Sequence, residues 1–182
     1  MKGILTAALL AALLVPAAAF AADPPGQDRA NAARACSALR TSMGLATFRL
    51  TYGTAASNHR NAFGRCVSQW TRTEHQNRQS ARAACEAEKN DPNFAATHDG
   101  KTFEEFYGSA PRRANAFGKC VSSKAKTASA ETRRDTMNAA RKCKAERKTL
   151  GETEFRAKYG RTGHDRNAFG KCVSKLAKEQ NA

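Results

Sequence analysis

Six cysteines, Cys36, Cys66, Cys85, Cys120, Cys143 and Cys172, are the side chains best able to do chemistry in this 182-residue sequence. Thiols could form disulfides, hold a metal or carry redox chemistry. Zinc sites show C-x2-4-C or H-x3-5-H clusters, and neither occurs; His59, His75, His98 and His164 recur at no common interval. A redox centre calls for C-x-x-C or an activated, exposed thiol, and no C-x-x-C is present. Structural disulfides are therefore expected, with no metal and no cofactor.

Proton transfer is the second chemistry to weigh. Tyr52, Tyr107 and Tyr159 could each donate a proton, but each stands four residues after a phenylalanine, a pattern that suits a core ring with its hydroxyl at the rim. Glu104 and Glu105 are adjacent on an expected helix and point in different directions, so they do not make a catalytic carboxylate pair. No G-x-S-x-G, Walker-type or Rossmann-type glycine pattern appears. The expectation is a protein that is not an enzyme.

Charge is the third resource. The chain carries a formal +15, and residues 22–108 hold 11 Lys/Arg against 9 Asp/Glu, whereas residues 109–182 hold 19 against 7. Arg133, Arg134, Arg141, Lys142, Lys144, Arg147 and Lys148 share one expected helix, with Lys119, Lys124 and Lys126 leading into it. Exposed, these ten residues would attract nucleic acid, anionic lipid headgroups or acidic envelope polymers, mainly through charge and with strong salt dependence. They lack the interleaved aromatics of a single-strand-binding face.

The elements that must position these residues follow from an internal repeat. Asn61-Ala-Phe-Gly-Arg-Cys-Val-Ser68 returns as Asn115 to Ser122 and Asn167 to Ser174, with Lys in place of Arg. Upstream of each lies Phe-x-x-x-Tyr-Gly, ending at Gly53, Gly108 and Gly160, and before that an Ala- and charge-rich segment holding Cys36, Cys85 or Cys143. These segments favour helix. Each Tyr-Gly glycine suits a left-handed helix end, Asn61, Asn115 and Asn167 suit N-caps, and Phe63, Cys66, Val67 and Trp70 fall on one buried face. Neither Gly nor Pro occurs from Arg65 to Asp91 or from Lys119 to Leu150, so each closing helix is expected to run on into the next module. Thr71 to Ser80 is polar all round, which reads as a solvent-exposed connector in a chain of modules.

The repeat selects the pairings Cys36–Cys66, Cys85–Cys120 and Cys143–Cys172 from 15 connectivities. On one continuous helix Cys66 and Cys85 would stand about 28 Å apart, beyond the roughly 7 Å that a bridge tolerates between Cα atoms. Leu, Ile, Val and Phe make up about a tenth of the chain after residue 21, well below the ~20% under which a charged chain fails to fold by burial alone. Disulfides are thus needed to offset the chain entropy.

At the N-terminus, Lys2 precedes an apolar run from Ile4 to Val15, and Ala19 and Ala21 form an A-x-A site. This reads as a signal peptide over 1–21, cleaved after Ala21 with Ala22 the alternative, and directs the protein out of the cytoplasm. The run is shorter than the roughly 20 residues of a membrane span.

The thrice-repeated Asn-Ala-Phe-Gly-Lys/Arg-Cys-Val-Ser, with Phe-x-x-x-Tyr-Gly before it and segments such as Lys142-Cys143-Lys-Ala-Glu-Arg147, resembles a family of secreted bacterial repeat proteins that bear this signature. The resemblance implies the module boundaries and supplies no function. The chain departs from the pattern at Ser37 to Arg40 and in the extra stretch from Asn90 to Gly100. The expected architecture is all-α: three tandem disulfide-stapled helical modules over 22–73, 74–127 and 128–182, joined by long helices. The expected function is a secreted, non-enzymatic structural or binding element, the alternative being an electrostatic polyanion binder acting through the basic C-terminal modules.

Overall fold

A computed structural model describes residues 25–109, 111–160, 165 and 167–180. The expected signal peptide, its cleavage point and His164 lie outside them. The described residues form seven α-helices and no strand: α1 (Pro25–Met43), α2 (Leu45–Tyr52), α3 (Ala62–Lys89), α4 (Phe94–Thr97), α5 (Phe103–Tyr107), α6 (Ala116–Tyr159) and α7 (Ala168–Glu179), with a short 3-10 turn at Ala55–Ser57. The two Gly- and Pro-free spans are the long helices α3 and α6.

All three expected disulfides are present, with Cα atoms 5.9, 6.1 and 6.0 Å apart for Cys36–Cys66, Cys85–Cys120 and Cys143–Cys172. All six cysteines are fully buried. Each bridge is flanked by the Phe-x-x-x-Tyr pair, whose ring centroids lie 5.0, 5.0 and 4.9 Å apart in successive modules. Cystine and tilted ring pairs thus replace the missing aliphatic side chains at the centre of each core.

Several local expectations are corrected. The Tyr-Gly glycines are extended, with φ near −80°; the left-handed residues nearby are Asn58, His59 and Arg113. Glycine is required at 53 and 108 because the chain returns across it: a Cβ on Gly53 would stand 2.6 Å from the His59 Cα, and one on Gly108 2.9 Å from the Arg113 Cα. Positive φ is found instead at Gly44 (φ 78°), Gly100 (φ 74°) and Gly151 (φ 78°). Gly44 separates α1 from α2, and Gly151 kinks α6 at the matching point before Phe155, in a backbone region essentially confined to glycine.

Asn61, Asn115 and Asn167 occupy the N-cap positions but make no capping hydrogen bond. Their side-chain oxygens instead accept backbone N–H bonds from Thr54 (3.0 Å), Ser109 (3.1 Å) and Ala55 (3.3 Å). The first two close their own module's turn. Asn167 reaches from the third module into the first.

On the face expected to be buried, Phe63 is 37% exposed, while Ala62, Cys66 and Trp70 are buried and Val67 is half-buried. The extra stretch of the second module forms α4, and its Phe94 joins Phe103 and Cys85–Cys120 in that module's core.

The polar connector is also not free in solvent. Helix α3 packs against both α1 and α6, which also touch each other. Asp28 of α1 is buried and pairs with Arg78 and with His75, the latter at 3.3 Å. Glu74 is 7% exposed and accepts from the Ser129 hydroxyl of α6 at 2.9 Å, and Asn77 donates to the same hydroxyl at 3.1 Å. A helix that looks polar all round can be buried along one face when its polar groups find one another. Met43 packs against both the first and the third core, so these two modules share a boundary, whereas the second core stands apart.

Candidate polyanion-binding face

Nine of the ten candidate cations divide between one continuous stripe and positions with other partners. At 100° per residue, Lys119, Lys126, Arg134, Arg141, Lys144 and Lys148 fall within an arc of about 80° along α6. All six are exposed. From first to last they span about 44 Å at 1.5 Å per residue. Between Lys119 and Lys148 the carboxylates of α6 are Glu131, Asp135 and Glu146, and all three fall outside that arc; Glu152 and Glu154 follow the kink at Gly151, beyond the end of the stripe.

Lys124 is drawn away to Glu88 at 2.7 Å and Arg147 to Glu152 at 2.5 Å. Arg133 is half-buried beside Glu74 in a cavity of about 570 Å3 between α1, α3 and α6. The tenth, Lys142, is exposed but about 80° outside the arc.

Two carboxylates at the basic helix, Glu146 on it and Glu88 beside it, already have partners. Glu146 lies below its ordinary value because Lys158, at 2.5 Å, and the Tyr159 hydroxyl, at 2.7 Å, both donate to it. At Glu88 burial pushes the carboxyl up, but hydrogen bonds from Lys124 and from Tyr107 at 2.8 Å outweigh that and hold it low. Glu88 and Glu146 each stand three residues after the first cysteine of their module, so Tyr107–Glu88 and Tyr159–Glu146 are one repeated contact. The first module has Leu39 at that position, and the Tyr52 hydroxyl accepts from Trp70 Nε1 at 3.1 Å instead. Burial pushes Tyr52 and Tyr107 up to about 12, so both keep their protons across the physiological range.

Among the described residues the histidines are dispersed. His75 faces Asp28, and His98 stacks on Phe94 with centroids 3.8 Å apart. Among the described residues no cluster of three or more His, Cys, Asp or Glu could hold a metal ion, and no helix is long and apolar enough to cross a membrane.

Attention to one charge-dense helix overlooks a second basic feature. In each closing helix a cation precedes the cysteine and another follows seven residues later: Arg65 and Arg72, Lys119 and Lys126, Lys171 and Lys178. The repeat register contains this signal, and counting charge along the chain hides it. The fold and these sites define an all-α protein stapled by three disulfides, with basic surfaces on its closing helices. Comparison of the chain with protein-family models, curated proteins and solved structures finds no match.

Proposed function

We propose that this chain is an extracytoplasmic, non-enzymatic binding protein that holds an extended polyanion along α6. The observation that carries the reading is the exposed row Lys119, Lys126, Arg134, Arg141, Lys144 and Lys148, about 44 Å long and free of carboxylates. A linear polymer with regularly spaced charge matches such a row better than a small ligand does, and its condensed counterions are released on binding. Three disulfides support an oxidising compartment.

The test is binding of duplex DNA and of heparin across a salt series, comparing the natural chain with a variant in which all six stripe cations are Gln. The natural chain is expected to be retained at physiological salt. The variant is expected to lose retention, with the slope of log K against log salt on duplex DNA falling by roughly one for each phosphate contact removed. Equal retention and equal slope in the two proteins would sink the reading.

A further inference from the structure

A second basic site lies away from the α6 stripe. Helices α3 and α7 face each other across an open cleft of about 860 Å3, with the end of α2 between them. Its walls are built from equivalent positions of two modules: Arg65, Ser68 and Arg72 on α3, and Lys171, Ser174 and Lys178 on α7. On each helix these residues stand at i, i+3 and i+7 and so share a face. Lys175, one turn beyond Lys171, adds a fifth cation, and none of the residues lining the cleft is acidic.

The contact that sets the walls is specific. A Cβ on Gly170 would stand 2.5 Å from the Thr51 carbonyl, and Asn167 accepts from Ala55, so α7 is seated on the end of the first module at one place. Lys171 is paired with Asp165, and Lys175 lends part of its charge to Glu146. Arg65, Arg72 and Lys178 are exposed and have no carboxylate within ion-pair distance among the described residues. Like charges gathered by folding into one cleft repel one another, and a bound multivalent anion relieves that repulsion.

We propose that this cleft binds one compact multivalent oxyanion, phosphate- or sulfate-bearing, clamped between Arg65 and Arg72 of the first module and Lys175 and Lys178 of the third. The two guanidinium groups can each engage two oxygens of such a group, and the lysines supply point charge from the opposite wall. The site is separate from the α6 stripe and does not depend on it.

The probe is sodium tripolyphosphate, which is too short to follow the α6 stripe, titrated calorimetrically into the disulfide-intact chain. One saturable site is expected. Arg65→Gln with Arg72→Gln, and Lys175→Gln with Lys178→Gln, should each weaken it about tenfold or more, as expected for loss of charge-assisted hydrogen bonds. The charge-keeping pair Arg65→Lys with Arg72→Lys should retain most of the affinity, and the six-Gln α6 variant should bind as the natural chain does. Circular dichroism verifies that every variant is folded. Absence of a saturable site, or an equal loss in the α6 variant, would overturn the proposal. Vesicles of phosphatidylglycerol then separate the two sources of the anion: cleft-dependent vesicle binding marks a lipid headgroup, and its absence beside tripolyphosphate binding marks a free oligophosphate.

Discussion

The three Asn-Ala-Phe-Gly turns are nearly identical in residue type, yet their glycines meet different surroundings. Gly64 and Gly118 have open space where a Cβ would stand, whereas at Gly170 the Thr51 carbonyl is 2.5 Å away. A methyl group there must push α7 off the first module. Gly170→Ala is expected to destabilise the protein by about 1–3 kcal/mol, as overpacking does. Gly64→Ala and Gly118→Ala should be neutral or stabilising by up to about 1 kcal/mol, since Ala is the better helix former. Urea unfolding followed by circular dichroism compares the three, and equal effects would mean that the docking of α7 contributes nothing. The turn itself could be read from its threefold recurrence. Which copy is pressed against a neighbour could not, because the neighbour is a backbone carbonyl in another module. Glu88 and Glu146 show the same limit: their partner tyrosines become evident only when the two helices are laid side by side.

At the scale of elements, the long helices and the cysteine pairing were open to reading because their causes are local. A span without Gly or Pro continues as helix, and two cysteines far apart on one rod cannot meet. The break at Gly44 and the kink at Gly151 escaped notice because an isolated glycine in a helical pattern is ambiguous until its φ is known. The second module differs from its neighbours in a way that can be measured. Its core of Phe94, Phe103, Ala116 and the Cys85–Cys120 bridge shares no residue with the other two. Replacing both cysteines by Ala releases a loop with a sequence separation of 35, a loss of about 3.8 kcal/mol in the chain-entropy model. Hydrogen exchange should then accelerate from residue 90 to residue 116 while α1 and α7 keep their protection. A uniform acceleration through all seven helices would mean that the second module does not unfold separately.

For the molecule as a whole, the decisive departure from expectation is the packing of α3 against α1 and α6. Nothing in the polar run from Thr71 to Ser80 announces a partner, since Glu74 and Ser129 are buried only by being brought together. The stripe on α6 could be found from the sequence because all its members ride on one helix. The α3–α7 cleft could not, because it requires the placement of two modules. The α3–α6 contact carries a pH signature. Burial raises the Glu74 carboxyl above its ordinary 4.5, and the Ser129 hydrogen bond and the charges of Arg133 and Arg34 offset this only in part. The folded protein therefore holds this proton more tightly than the unfolded chain, and Glu74 withdraws stability as pH rises through and above 4.5. Glu74→Gln should gain on the natural protein across that interval and show a constant difference below it. Urea midpoints at a series of pH values test this, and a gap independent of pH would assign Glu74 an unshifted carboxyl. The hydrogen bond from the Ala55 backbone to Asn167 spans 112 residues. A ribosome makes the donor long before the acceptor, so the seam between the first and third modules closes only after the third module has been made. A chain stopped short of Asn167 would hold the first module with that edge unsealed, open to proteases in a way the finished protein is not.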